Sequence, residues 1–190
     1  MNPPIKFIQS GIWTLVAAAE IVIVLSTPSR AADNTAYGVG ALQSGSITGI
    51  YDSAFGFDAL YKTTTGEYNT ATGADALYDN TGSNNTADGV AALFTNTTGS
   101  ANVAVGVSAL RLNTTGTANT ANGYQALYSC TTDSQETAVG CQALFSDTIG
   151  FAGLPNQNLA LGYQALYLNT DGFANVAGGY RALYKNSQGI

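Results

Sequence analysis

From Asn34 onward, the chain consists of nine copies of one short repeat. Each copy carries a glycine, and successive glycines are 16 to 18 residues apart except for one interval of 22 residues. The repeat reads N-T-A-x-G-Φ-x-A-L-Φ-x-N-T-T-G-x-x, where Φ is aromatic or aliphatic. A disordered tract has no reason to keep apolar residues in register. The fixed short period therefore predicts a solenoid, in which each copy buries its apolar face against the next copy.

Three apolar positions of the repeat never vary. An alanine stands two residues before each glycine, beginning with Ala36, and a second alanine precedes each leucine. The invariant glycines are Gly38, Gly56, Gly73, Gly89, Gly106, Gly123, Gly140, Gly162 and Gly179, and the invariant leucines are Leu42, Leu60, Leu77, Leu93, Leu110, Leu127, Leu144, Leu166 and Leu183. We expect the alanines before the glycines to point inward, because an all-alanine column suits a narrow cross-section. The glycine fits a corner with positive φ or a close approach of two backbones.

The length of the repeat selects one kind of solenoid. Seventeen residues are about half of a helix-pair repeat, but they suffice for two short strands and two turns. We therefore predict an all-β fold for residues 32–190, a parallel β-solenoid of about nine 17-residue coils stacked about 4.8 Å apart. In T-A-x, alternation places alanine inside and the other two residues outside.

The segment after the glycine is ambiguous in sequence. Tyr124, Leu127 and Tyr128 have the spacing of one helical face. A stacked helix needs about twice the spacing of stacked strands, however. We favour a strand or irregular coil over a short helical turn in each copy.

Two further features concern the turns. Seven of the nine copies begin with asparagine, which either hydrogen-bonds amide to amide along the stack or simply tolerates corner geometry. The 22-residue copy carries its extra residues within 151–157. Insertions in solenoids form loops on one face, so this segment is either a binding loop or a tolerated bulge.

Residues 1–31 have the layout of a signal peptide. Lys6 precedes a mostly apolar run at residues 12–26, and small residues lead to a cleavage site after Ala31 or Ala32. Glu20 lies within the run and is costly in a membrane-spanning helix. We predict export and no membrane insertion of the mature chain, with an uncleaved anchor or a buried helix as the alternatives.

The composition disfavours most catalytic and nucleic-acid-binding functions. The chain has no histidine, two cysteines, 9% charged residues and a net charge of −6. Zinc sites and catalytic triads need histidine or more cysteine, and nucleic-acid binding needs basic residues. We predict no enzyme activity, no catalytic residues, no cofactor, no metal and no nucleic-acid partner. Cys130 and Cys141 lie in neighbouring copies, and export permits a disulfide between them without requiring one.

An aromatic column suggests self-association. The residue after the leucine is aromatic in seven of nine copies, at Tyr61, Tyr78, Phe94, Tyr128, Phe145, Tyr167 and Tyr184. On a single chain this stripe would form a large exposed apolar patch. We predict that it lies at a seam between chains, together with part of the alanine column. A single chain that buries the stripe under its own coils is the alternative.

The repeat also resembles known families. The runs NVAVG at 102–106 and NVAGG at 175–179 resemble the head repeats of trimeric autotransporter adhesins, and the NTTG copies resemble the TMF-family repeats of exported bacterial and tail-fibre-associated proteins. The resemblance covers residues 34–190, although this repeat is longer than the adhesin repeat by an inserted A-L-Φ-x-N-T-T-G. It implies a left-handed β-roll, a homotrimer, and a secreted or bacterial cell-surface location with an unknown protein or glycan ligand.

We therefore expect an exported structural or adhesive surface rod. An ice-binding solenoid is an alternative because threonines recur in register, although Ser53, Val103, Leu159 and Val176 interrupt that column. A phage tail-fibre-like segment is another, and the export signal opposes it.

Overall fold

The structure is a computed structural model that describes residues 33–44, 47–147, 156–170 and 172–186. The predicted signal peptide and most of the predicted insertion lie outside these residues. The described part is all-β and contains no α-helix, which confirms the parallel β-solenoid.

Nine short strands form one parallel sheet along the length of the chain. They are β1 (Thr35–Tyr37), β2 (Ser53–Phe55), β3 (Thr70–Thr72), β4 (Thr86–Asp88), β5 (Val103–Val105), β6 (Thr120–Asn122), β7 (Thr137–Val139), β8 (Leu159–Leu161) and β10 (Val176–Gly178). β9 (Leu168–Asn169) and β11 (Lys185–Asn186) form a separate parallel pair. One coil of the solenoid, which we call a lap, runs from one of these nine strands to the next. There are eight such laps, and each pairs with the lap before it.

The register of the sheet is the register of the repeat. Alanine pairs with alanine at every step, from Ala36 with Ala54 to Ala160 with Ala177. Even the 22-residue copy keeps this register, because Ala138 pairs with Ala160. Seven of the nine strand alanines are fully buried with no exposed surface, including Ala54 and Ala160. The predicted inward direction of this column is therefore confirmed.

The invariant glycines form a corner at which consecutive laps nearly touch. Gly106 has a φ of 123°, and a Cβ on it would lie 2.7 Å from the carbonyl oxygen of Gly123. The same relationship recurs from Gly38 to Gly162. Both sequence explanations therefore apply together, since the corner needs positive φ and also leaves no room for a side chain.

The segment after the glycine is a turn in which φ alternates in sign. In the sixth copy, φ is positive at Gly123 (147°), Gln125 (53°) and Leu127 (52°). The predicted strand or irregular coil is thus an irregular turn, and the helical turn is not formed. An α-helix would commit its N–H groups to carbonyls within its own lap. In the turn, the Gln125 N–H donates to Val107 of the preceding lap and the Leu127 N–H donates to Ala143 of the following lap.

The hydrophobic core is a narrow column of alanine and leucine. The leucines from Leu60 to Leu166 have no exposed surface, and they pack with the alanines before them. Leu183 in the last lap is half exposed. The core is therefore continuous along the axis, and each lap is covered by its neighbours.

Candidate functional site

The first residue of each repeat forms a continuous hydrogen-bonded ladder inside the rod. We call this column the lead ladder; it comprises Asn34, Asp52, Asn69, Asn85, Asn102, Asn119, Glu136, Asn158 and Asn175. Each side-chain oxygen accepts from the backbone N–H of the next member, as Asn85 Oδ1 does from Asn102 N at 3.0 Å. The Nδ2 of each asparagine from Asn34 to Asn158 donates to a backbone carbonyl, such as that of Gly99 from Asn85 at 2.9 Å. Within this ladder, all of whose members the structure describes, the predicted amide-to-amide bonds are present at only two steps, from Asn85 Nδ2 to Asn69 Oδ1 at 3.2 Å and from Asn175 Nδ2 to Asn158 Oδ1 at 3.1 Å. The other steps between two asparagines are joined through backbone groups.

A second ladder runs beside the first, and the sequence interpretation missed it. It comprises Thr63, Asn80, Asn96, Asn113, Cys130, Asp147, Asn169 and Asn186, all at the asparagine position of N-T-T-G. Here the amides bond directly to one another, with Asn113 Nδ2 donating to Asn96 Oδ1 at 2.6 Å and Asn96 Nδ2 to Asn80 Oδ1 at 2.7 Å. The recurrence of asparagine at this position was the signal available in the sequence.

The two ladders converge on a shared row of carbonyl groups. Asn85 and Asn96 both donate to the carbonyl of Gly99, at 2.9 and 2.8 Å. A Cβ on Gly116, the next glycine of this row, would lie 2.4 Å from Asn113 Oδ1. Glycine is needed here because the ladders close around it. We call this row, from Gly49 through Gly66, Gly82, Gly99 and Gly116 to Gly172, the glycine row; Asp133 occupies it in the sixth repeat.

Three ladder positions carry acids instead of amides. Asp52 and Glu136 lie in the lead ladder and Asp147 lies in the second, and none has exposed surface. Burial raises the pKa of Asp52 to about 6. Burial, and the nearby Asp147 and Asp133 carboxyls, raise the pKa of Glu136 well above its usual range. The pKa of Asp147 is raised in the same way, by burial and by Asp133.

The two cysteines are unbonded. Cys130 is buried in the second ladder, whereas Cys141 is half-buried directly after Gly140. Burial and three neighbouring carboxyls raise the pKa of the Cys130 thiol, so this thiol is held protonated. The disulfide that the sequence left open is therefore absent.

The predicted seam residues stack along the outside of the rod. Tyr61, Tyr78 and Phe94 form one run and Tyr128, Phe145, Tyr167 and Tyr184 form another, with ring centroids 5.0 to 5.2 Å apart. We call these rings the aromatic stripe. Arg111 fills the gap, with its Cζ 5.3 Å from the Phe94 ring centroid and its Nη1 3.2 Å from the Tyr128 hydroxyl. The ring faces are covered by one another, so each ring is half-buried and presents its edge.

A second apolar column is more exposed than the aromatic stripe. The residue directly after each invariant glycine lacks a charged or amide side chain in all nine repeats, and we call this column the post-glycine stripe: Val39, Phe57, Ala74, Val90, Val107, Tyr124, Cys141, Tyr163 and Tyr180. Val107 and Tyr124 are 45% and 51% exposed. Sequence reasoning did not assign this column to a surface.

The two stripes belong to one surface of the rod. The Cζ of Arg181 lies 5.4 Å from the ring centroid of Tyr180, in the post-glycine stripe, and 5.0 Å from that of Tyr184, in the aromatic stripe. Between the stripes, Gln142 Nε2 donates to Gln125 Oε1 and Gln164 Nε2 donates to Gln142 Oε1. We call the two stripes and this intervening column the ring face.

The side of each strand that faces away from the buried alanine presents a more varied surface. The residue before each invariant glycine is outward-facing, as predicted, and it includes exposed Phe55, Asp88 and Asn122. The neighbouring threonine column is interrupted by Val103 and Leu159. This outer sheet surface is therefore regular in its spacing and irregular in its chemistry.

Neither a membrane span nor a metal centre is found in the part of the chain that the structure describes. None of those residues forms a helix with the length and apolarity needed to cross a bilayer. No group of three or more Cys, Asp or Glu side chains among them could hold a metal ion.

The in-register strands define the chain as a parallel β-solenoid repeat protein. No family model, curated protein or solved structure matches it. The fold class is therefore shown by the coordinates alone, and the family resemblance remains a prediction.

Proposed function

We propose that the chain is an exported structural rod that associates with further copies of itself through the ring face and displays its outer sheet surface to a ligand. The observation that carries this proposal is the post-glycine stripe, which lacks charged and amide side chains in all nine repeats and is exposed in seven of them. A scattered surface residue of this kind is ordinary, but a contiguous apolar stripe marks an interaction site.

A second copy is the partner that fits this stripe best. Its apolar side chains recur once per lap, so a neighbouring rod with the same repeat spacing can match every lap at once. Three copies are the number that the adhesin-like repeats imply. The outer sheet surface is not part of this seam and is left available for attachment to a protein or glycan.

The oligomer is tested by light scattering on the purified full chain. We expect the mass of a trimer, and we expect the double variant Val107→Glu/Tyr124→Glu to be monomeric, because it places two charges in adjacent laps of the ring face. The matched control is Asp88→Glu/Asn122→Glu on the outer surface, which keeps the wild-type mass. A wild-type chain that is monomeric at all concentrations would overturn the proposed seam.

Export and adhesion are tested separately. Expression in a bacterial host is expected to yield a secreted product that begins after Ala31 or Ala32, which N-terminal sequencing detects. The secreted rod is expected to bind immobilised glycans or host proteins more tightly as an oligomer than as the monomeric variant, because several outer surfaces then bind together. Binding that is absent in both forms would leave a structural role and contradict an adhesive one.

Ice binding receives less support from the outer surface. Flat, regular arrays of threonine are needed, whereas Val103, Leu159 and Val176 place apolar side chains without a hydroxyl group in the same column. Thermal hysteresis of the purified rod is expected to be absent.

A further inference from the structure

The buried acids occupy positions where the repeat otherwise places asparagine. In each case one carboxyl oxygen accepts as an asparagine Oδ1 does. Asp52 Oδ1 accepts from Asn69 N at 2.8 Å, and Asp147 Oδ1 accepts from Asn169 Nδ2 at 3.1 Å. Glu136 Oε1 accepts more weakly from Asn158 N at 3.3 Å. One oxygen of each carboxyl group therefore makes the hydrogen bond that an asparagine Oδ1 makes elsewhere in the ladder.

The second oxygen of each carboxyl group does not make the hydrogen bond that an asparagine Nδ2 makes. Where the repeat has asparagine, the second atom is an Nδ2 that donates to a backbone carbonyl. Asp52 Oδ2, Glu136 Oε2 and Asp147 Oδ2 are buried there instead, and none has a hydrogen-bond partner. An ionised oxygen at such a position of Asp52 or Glu136 lacks a donor and meets a region built to accept hydrogen bonds, which is costly in a buried site. The side-chain amides of Asn156 and Asn158 lower the pKa of Asp147, but burial and the Asp133 carboxyl raise it by more. An O–H group would supply the missing donor.

The charged neighbours also disfavour ionisation. Glu67 acts on Asp52. The Asp133 and Asp147 carboxyls raise the pKa of Glu136. Asp133, Asp147 and Glu136 together raise the pKa of the nearby Cys130 thiol, which is protonated. Among the described residues an ion pair is formed by Lys62 and Asp79 on the surface, and none involves these three acids. All the charge that these acids meet is thus of their own sign.

We infer that in mildly acidic solution Asp52, Glu136 and Asp147 are neutral carboxylic acids in the folded rod, that their O–H groups replace asparagine N–H groups, and that the rod loosens as pH rises. Each acid takes its proton from water when the ladder forms and returns it to water when the ladder opens. The folded chain thus holds more protons than the unfolded chain.

The direction of the pH effect follows from the raised pKa values. Below the ordinary pKa of each acid, near 4, both states are protonated and the full stability is present. As pH rises from there through the raised pKa, the unfolded chain ionises first and stability is lost. The Asp52 contribution is lost between the ordinary value and about 6. The contributions of Glu136 and Asp147 extend the loss toward higher pH.

The test compares thermal unfolding of the full chain from pH 4 to pH 9. For the wild type, we expect Tm to fall by at least about 5 °C over this range, since one raised acid alone changes stability enough for such a shift. The triple variant Asp52→Asn/Glu136→Gln/Asp147→Asn carries permanent N–H donors, so most of this fall is expected to disappear. Asp88→Asn is the matched control on the solvent surface and keeps the wild-type slope.

A second measurement on the wild type does not depend on any variant folding. Infrared spectroscopy of the folded chain at pH 7 is expected to show the carbonyl band of a protonated carboxylic acid, and the band is expected to vanish on unfolding. Absence of the band, or equal slopes for the wild type and the triple variant, would overturn the inference. Loss of the wild-type slope on adding calcium would also overturn it, in favour of a bound cation.

Discussion

Cys130 and Asp133 are complementary departures from the repeat. Cys130 replaces an asparagine of the second ladder, and Asp133, three residues later, replaces a glycine of the glycine row; Cys130 Sγ lies 3.7 Å from the Asp133 carbonyl oxygen. In the preceding repeat, a Cβ on Gly116 would lie only 2.4 Å from Asn113 Oδ1. The shorter cysteine therefore leaves space for the Asp133 Cβ.

This relationship predicts a compensating pair of substitutions. Cys130→Asn is expected to lower the free energy of unfolding by about 1–3 kcal/mol, because it overpacks the site. Adding Asp133→Gly is expected to recover the loss, and the new amide can donate to Asn113 Oδ1, which has no partner now. Equilibrium denaturation of both single variants and the double variant measures the coupling. Additive effects would contradict the packing relationship.

The second ladder is expected to contribute strongly to stability. Asn96→Ala removes the acceptor of Asn113 Nδ2 and the donor to Asn80 Oδ1. Because these groups stay buried, we expect a loss of about 2–3 kcal/mol in denaturant unfolding. The control Asn122→Ala, on the outer surface, is expected to change stability by less than about 0.5 kcal/mol. Equal effects of the two substitutions would show that the amide ladder adds nothing.

The glycine corner is expected to reject any side chain. Gly106→Ala combines a φ of 123° with a Cβ only 2.7 Å from the Gly123 carbonyl oxygen. We expect a loss of at least about 2 kcal/mol, since strained backbone and a backbone clash add together. Gly178→Ala is the control, because a Cβ there meets nothing within 4 Å. Thermal unfolding of both variants decides the matter, and similar Tm values would refute the steric explanation.

One alanine position is expected to prefer glycine. Ala118 has a φ of 57°. Glycine there removes a steric cost of about 1–2 kcal/mol that a side chain has in the left-handed conformation. It also destabilises the fold by about 0.5–1 kcal/mol, because glycine loses more conformational entropy on folding than alanine does. We therefore expect Ala118→Gly to raise stability by up to about 1 kcal/mol, whereas Ala121→Gly in β6 lowers it. A lower Tm for Ala118→Gly would contradict this expectation.

The parts of the fold that depend on position within the repeat were predictable from sequence. The burial of the alanine and leucine columns and the outward direction of the residue before each glycine follow from alternation and from the constancy of each column. No knowledge of neighbouring laps was needed for these features.

The parts that depend on neighbouring laps were not predictable. Leu127 with a φ of 52° contradicts the preference of leucine alone. It is stabilised by a hydrogen bond from its N–H to Ala143 of the next lap. The interior position of Asn96 likewise depends on its stacking against Asn80 and Asn113. Because the sequence does not show that Glu136 is buried, its raised pKa could not be predicted.

The pairing of β7 with β8 shows that a longer lap can make the same contacts with its neighbours as a lap of ordinary length. Twenty-two residues connect Ala138 to Ala160, yet the two alanines pair as neighbours seventeen residues apart do elsewhere. In a structure whose units touch only adjacent units, a gene can therefore gain or lose whole repeats by recombination without disturbing the remainder. The rod's reach is open to adjustment by evolution one lap at a time, and foreign peptides grafted between these two strands would be carried at its side.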